Sequence, residues 1–205
     1  MKNAWQLYFS RPNKRTVFLL TIGILILTLV SFVYFLTYNE SRAGYTFNDP
    51  VLNLFEPVAI SEFTFFITYF FSIYGIIISF RDPPLFIRLL QAYTIMTLLR
   101  MLCLYLLPLE APESIIPLKD TFLQSTFYSG RENLKDLFFS GHTATIFLFA
   151  FGFKKRGMRQ FFFAAGCSVG ILVVAQHVHY SIDVIAAPFF AYVATRLQKK
   201  MRLFS

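Results

Sequence analysis

Two short stretches carry residues that could do chemistry. In "QHVHYSIDV", residues 176–184, two of the three histidines of the chain and one aspartate lie inside apolar sequence. His179 and Asp183 are four apart, a spacing that places them on one face of a helix, where the carboxylate can accept a hydrogen bond from the imidazole. Such a bond selects the tautomer, orients the ring and stabilises the imidazolium. His177 falls on a different face and is expected to lie at the mouth of any site. The second stretch is "KDLFFSGHTA", residues 135–144. Ser140 suits a helix N-cap, Gly141 allows close approach, and His142 falls in the first helical turn. Free N–H groups at a helix start suit a phosphate oxygen. The chemistry expected of two histidines, a carboxylate and an anion-binding turn is acid–base or nucleophilic catalysis at phosphorus.

These residues need elements that bring them together, and composition says what those elements are. Of 205 residues 56% are hydrophobic, including 27 phenylalanines, and the mean hydropathy is +0.57. Apolar runs close to the roughly 20 residues needed to cross a bilayer recur along the chain. We expect an all-α, polytopic membrane protein with six helices, at about 16–38, 63–80, 85–107, 138–153, 160–176 and 180–197. Helices are expected because a bilayer makes backbone groups pair within the segment, and barrel-like alternation is absent. The organisation that follows is an N-terminal segment over 1–15, a six-helix catalytic domain over 16–198 and a basic tail over 199–205. The first run is expected to be a retained helix, since no small-residue cleavage site follows it.

The net charge of +8 invites a nucleic-acid reading, which the placement of the charges removes. The basic residues sit in clusters beside the apolar runs, where topology requires them. With the N-terminus inside, the inner segments hold Lys2, Arg11, Lys14, Arg15, Arg81, Arg88, Lys154, Lys155, Arg156, Arg159, Arg196, Lys199, Lys200 and Arg202, 14 of the 19 lysines and arginines. The outer segments hold four, Arg42, Lys119, Arg131 and Lys135, and Arg100 lies within the third run. That bias predicts both termini inside. His142 and His179 then reach the same outer face, together with Asp136, Asp183, Glu56 and Glu62.

Arg100 is placed about eight residues below the outer end of its run, roughly 10 Å deep at 1.5 Å per residue. Snorkelling from that depth is strained, so Arg100 is expected to face the bundle and hold a phosphate or pair with an acidic group. Glu62 opens the second run, and Asp136 precedes His142 by six residues; taken by itself, either suits a solvated charge. Cys103 and Cys167 fall in separate runs and are expected as buried thiols, with no disulfide or metal framework. No metal site is expected, because His177 and His179 diverge and no fourth ligand suggests itself. No cofactor is expected.

The two stretches resemble the signature motifs of the sphingomyelin synthase family, a branch of the phosphatidic-acid phosphatase type 2 superfamily of six-helix membrane enzymes. "DLFFSGHTA" is similar to its Ser-Gly-His-Thr motif, and "HVHYSIDVIAAPFFAY" to its His-Tyr-Thr-(Ile/Val)-Asp-Val motif, with Ser181 in place of the threonine. "AYTIMTLLRMLCLYLLPLEAP" resembles the arginine-bearing third helix with its Leu-Pro turn, and "AISEFTFF" the glutamate-bearing start of the second, so the resemblance spans about residues 44–197. It implies that His142, His179 and Asp183 are a catalytic triad. It also implies that Asp136 and Glu62 are acidic residues beside the triad, and that Arg100 is the arginine of the third helix. Arg100, Ser140, Gly141, Asp136, Glu62 and Tyr180 are the candidates for holding phosphate and substrate.

The wider superfamily's phosphatases carry a Lys-x6-Arg-Pro motif and a Ser-Arg ahead of the second histidine. Here "SRP" at 10–12 lies on the expected inner side, and "GILVVAQHV" lacks an arginine. The reading is a phospholipid headgroup phosphotransferase, taking a phospholipid donor and a lipid-alcohol acceptor such as ceramide or diacylglycerol. Its alternatives are a phosphatase or phospholipase C-like hydrolase with the same site, and a non-catalytic lipid-binding membrane protein. Without the N-terminal extension of the family's animal members, the compact chain fits a bacterial inner membrane, with the site on the periplasmic or exoplasmic face. Oligomeric state is not encoded in these motifs.

Overall fold

The computed structural model describes residues 2–116 and 133–201. Lys119, Arg131 and Arg202, used above for topology, and the end of the basic tail lie outside the described residues. The described chain is helical: α1 (Lys2–Phe9), α2 (Lys14–Glu40), α3 (Ser61–Phe80), α4 (Pro83–Leu106), α5 (Gly141–Gly152), α6 (Arg156–Ala175) and α7 (Ser181–Lys200), with a 3-10 turn at Leu52–Leu54. The sole pairing of extended backbone among the described residues is a single bridge between Tyr45 and Leu109.

Helix boundaries follow local chemistry. Asp82 caps α4 by accepting the Leu85 N–H at 3.2 Å, and Pro83 and Pro84 fill the first positions, where a missing N–H costs nothing. Beside this cap, Trp5 of α1 packs among Phe9, Phe18, Phe80 and Phe86. Its indole donates to the Phe80 carbonyl at 3.0 Å. That half-buries a large aromatic while satisfying its one donor, and it fastens the N-terminal segment to the junction of α3 and α4.

Helix α5 is the axis of the bundle. Ala144 and every residue from Ile146 to Ala150 are buried, and α3, α4, α6 and α7 all pack on it. The faces meeting it are built from small residues. Ala187, Ala191 and Ala194 of α7 are fully buried, and a Cβ on Gly170 of α6 would stand 2.6 Å from Val184. Small residues at such crossings let helix backbones approach closely, the way helices associate in lipid.

Helices α2, α3, α4 and α6 are long and apolar enough to cross a membrane. The other two expected spans differ. Helix α5 has 12 residues, about 18 Å at 1.5 Å per residue, short of a roughly 30 Å hydrocarbon core. Helix α7 has 20 residues but includes Asp183, Arg196, Lys199 and Lys200. Helix α5 is enclosed, and a helix enclosed by others does not need the unbroken apolar surface of a lipid-facing one; α7 instead buries its alanine face and leaves Ile185, Phe189 and Tyr192 exposed. The outward faces of α2 and α3 are rich in exposed Leu, Ile and Phe, and these features fit an integral membrane protein. Cys167 is exposed and Cys103 half-buried, which corrects the expectation of two buried thiols; Cys167 lies on an outward face of a membrane-length helix.

Candidate active site

The turn between α6 and α7 carries His179, and its shape is set by His177. Helix α6 closes with the His177 N–H donating to Val174 at 2.9 Å and the Val178 N–H to Val173 at 3.1 Å. This is a Schellman closure, with His177 at φ 56° in the left-handed position that usually takes glycine. His177 is therefore not at the mouth as expected. It is buried, with its ring edge-on to Phe55 at 5.1 Å and Nδ1 2.5 Å from the Ser114 hydroxyl. Just before it, the buried Gln176 side chain donates to Ser61 and accepts from Thr64, both at 2.8 Å, fixing the turn to the start of α3.

His179 then precedes α7 rather than lying on it, which corrects the helical-face argument. Asp183 reaches back from the first turn of α7 and its Oδ2 accepts the Tyr180 N–H at 3.0 Å. The same oxygen lies 3.4 Å from His179 Nδ1. A carboxylate at the third helical position that satisfies the N-cap N–H is half of a capping box. Here that geometry also delivers the carboxylate to an imidazole. Asp183 is fully buried and His179 nearly so. With Nδ1 facing Asp183, Nε2 is the atom of His179 left for a substrate.

His142 stands in the first turn of α5, half-buried. Its ring lies 6.3 Å from that of His179, inclined at 65°, and Phe65 of α3 flanks it at 6.3 Å. The two histidines, 37 residues apart in sequence, thus face one space.

Behind His142 lies Arg100 of α4. Its Nε donates to the Phe139 carbonyl at 2.9 Å, Nη2 pairs with Asp136 Oδ1 at 2.7 Å, and its guanidinium covers the Phe32 ring at 5.4 Å. A Cβ on Gly141 would stand 2.5 Å from Nη1, so any other residue at 141 displaces this guanidinium from its present position. Of the two partners foreseen for Arg100, the structure supplies the acidic one.

Ser140 occupies the N-cap position of α5, but its hydroxyl donates to Thr143 at 3.1 Å rather than accepting a helix N–H. Its cap role is thereby corrected: a fully buried hydroxyl next to Thr143 finds a side-chain partner. Its backbone N–H donates to the Asp183 carbonyl at 3.1 Å. Tyr180 is buried and its hydroxyl donates to the Glu110 carbonyl at 3.0 Å, a contact that holds the turn in place. Glu62 opens α3 and is exposed.

Several residues around the site have no sequence signal. Asp49 takes the Ser181 N–H at 2.5 Å and the Ser181 hydroxyl at 3.0 Å. Burial alone would raise the pKa of Asp49, but the donors Ser181 and Val51 outweigh it and hold the carboxylate below its ordinary value. Lys135 pairs with Glu110 at 2.9 Å and donates to the Arg42 carbonyl at 2.7 Å. Its hydrogen bond and that of the Gly44 N–H lower the pKa of Glu110. The side chain of Asn39 donates to the Lys135 carbonyl at 2.9 Å. This clasp holds residues 133–140, and so Asp136, against the ends of α2 and α4.

Residues 135–199 match the family model described as PAP2 superfamily C-terminal. No curated protein matches the chain, and neither does any solved structure. The matched residues include Asp136, Ser140, Gly141, His142, His179 and Asp183, and their likeness supports the phosphatidic-acid phosphatase type 2 superfamily, whose members typically act on phosphate esters as phosphatases or phosphotransferases.

Proposed function

We propose that this protein is a phospholipid headgroup phosphotransferase of the sphingomyelin synthase type. The observation that carries the reading is the charge balance of the site. Arg100, the cation behind His142, is already neutralised by Asp136 at 2.7 Å, while Asp183 adds a second carboxylate beside His179. A phosphomonoester dianion needs more positive charge than this; a phosphodiester monoanion does not.

In the transfer, the phosphorus–oxygen bond to the donor's diacylglycerol breaks and one to the acceptor's hydroxyl oxygen forms. His179 Nε2, oriented by Asp183, either takes the acceptor's proton as its oxygen attacks phosphorus, or itself attacks to form a phosphohistidine. In the second case the acceptor oxygen then displaces the histidine, its proton passing to the His142 left neutral by the first step. His142 gives a proton to the departing diacylglycerol oxygen. Arg100 and the start of α5 face the developing negative charge. The acceptor is a lipid alcohol, ceramide or diacylglycerol. Use of water in its place makes the same site a phospholipase C-like hydrolase, and the superfamily likeness is compatible with that second outcome.

Six helical runs pass through the membrane layer with both termini inside, the 12-residue α5 enclosed by its neighbours rather than reaching across the hydrocarbon core by itself. The site opens on the exoplasmic or periplasmic face of a bacterial inner membrane. The asymmetry of lysine and arginine supports this orientation.

The test is incubation of purified protein with phospholipids labelled in the headgroup, with and without ceramide or diacylglycerol. Labelled headgroup on the lipid alcohol supports transfer, and free phosphorylated headgroup alone supports hydrolysis. No turnover of any phospholipid by folded protein overturns both. For orientation, Ser114→Cys, in a chain lacking Cys103 and Cys167, should react with an impermeant thiol reagent from outside.

A further inference from the structure

Residues 41–60 join α2 to α3, and no step of the proposed transfer uses them. They nonetheless run along the turn that carries His179. The Phe47 ring lies edge-on to Tyr180 at 5.4 Å, and that of Phe55 edge-on to His177 at 5.1 Å. The Val58 N–H donates to the Ala175 carbonyl at 2.9 Å. Between the two ring contacts, Asp49 binds Ser181 through both its N–H and its hydroxyl. The segment therefore grips the turn on both sides of His179.

Asp49 is the one carboxylate in this set of contacts, and it is 2% exposed. The N–H it takes belongs to the first residue of α7, where helix donors lack intrahelical partners and an anion is favoured by the helix dipole. Asp183 takes the next such donor outward, the Tyr180 N–H, and its Oδ1 has no hydrogen-bond partner among the described residues. Two carboxylates thus divide the start of α7. Without Asp49, the Ser181 N–H is left open within reach of the turn of Asp183, and Asp183 is the nearby anion able to answer it. Resting on the phosphotransferase reading, the geometry points to Asp49 as a positioning residue: by satisfying Ser181 it reserves Asp183 for His179.

The test compares Asp49→Ala, Asp49→Asn and Ser181→Pro in the full chain. Proline is tolerated at the first helical position, and Tyr180 at φ −66° and ψ 153° already has the conformation a residue before proline prefers. Ser181→Pro therefore removes the donor itself while keeping the helix, so no open N–H is left for Asp183 to answer. Asp49→Ala should lower kcat roughly 10- to 100-fold, as expected for a small misplacement of a catalytic group, with KM within about twofold, whereas Ser181→Pro should stay close to the wild-type kcat. Adding Ser181→Pro to Asp49→Ala should restore most of the lost rate. Asp49→Asn, which keeps an acceptor oxygen, should recover most of the rate. Asp82→Ala removes a comparable cap at the far end of α4, roughly 27 Å along the helix from Arg100, and should leave kcat unchanged.

The imidazole 15N resonances of His179 are the readout independent of turnover. They should move in Asp49→Ala and stay in place in Ser181→Pro and Asp82→Ala. Wild-type kcat in Asp49→Ala, or lowered kcat with unmoved His179 resonances, overturns the inference. If the wild type turns over no lipid phosphodiester, the functional reading fails while the His179 resonances still decide the role of Asp49. Should Asp49→Ala not fold, Asp49→Leu, which fills the same space without an acceptor, carries the same comparison.

Discussion

The Ser140 N–H donates to the Asp183 carbonyl at 3.1 Å, so the start of the helix bearing His142 is bonded to the helix turn that orients His179. The two halves of the site are one backbone-linked unit. Their relative position does not depend on side-chain packing alone, as preorganised catalysis requires.

If the histidines act as assigned, His179→Ala and His142→Ala should each lower headgroup transfer by roughly 10²- to 10⁴-fold, with helical content unchanged by circular dichroism. Asp183→Asn should lose less than His179→Ala, since Asn still accepts the Tyr180 N–H through its oxygen. A His179→Ala protein with full activity would sink the mechanism.

The fit of Arg100 against Gly141 makes a steric prediction. Gly141→Ala places a methyl group 2.5 Å from Nη1, and should reduce activity in the same direction as Arg100→Ala but less severely, since the guanidinium can shift. In Arg100→Ala, Asp136 is left without its cation, and breaking such a pair costs about 3–5 kcal/mol when it is buried. The Asp136 side chain is 24% exposed, so the lower end applies. Arg100→Met with Asp136→Asn should recover stability in a thermal melt without recovering activity.

His177 separates backbone from side-chain effects. A residue other than glycine in the left-handed region costs about 1 kcal/mol or more. His177→Gly relieves that cost but gives up the Ser114 and Phe55 contacts; His177→Ala gives up the contacts and keeps the strain. The alanine variant should melt lower than the glycine variant. The opposite order would show that the left-handed closure costs the alanine variant nothing.

Glu110 predicts an acid limb of stability. Its pKa is depressed in the folded protein by Lys135 and the Gly44 N–H, so its contribution is complete above the ordinary value of 4.5 and is lost as pH falls through the folded value. Lys135→Ala should shrink the loss of melting temperature between neutral pH and pH values below 4.5. An unchanged acid limb would remove this clasp from the account.

Much of the site was legible from residue types. Ionisable groups inside apolar runs are expensive, so His142, His179, Asp183 and Arg100 stand out without coordinates, and the run lengths announce a helical membrane protein. What that reasoning missed has a common cause. Asp49 finds Ser181 across 132 residues, Gln176 finds Ser61 across 115, and Lys135 finds Arg42 across 93. All lie in loops or helix ends with no periodicity to betray a partner. His177 shows the same limit locally: its spacing suggested an outward ring, but a left-handed helix closure turned it inward.

The sequence by itself determined the helical class, the apolar lengths and the residues with the chemistry, because these follow from local composition and from what a bilayer permits. Tertiary structure alone decided that Arg100 is neutralised by Asp136, that Asp183 reaches His179 through a capping turn, and that α5 is an enclosed axis rather than a lipid-facing span. Arg100 and Asp136, and the helices around α5, lie far apart in the chain, while His179 and Asp183, four apart, are brought together by a helix boundary that spacing does not set; only folding sets such distances.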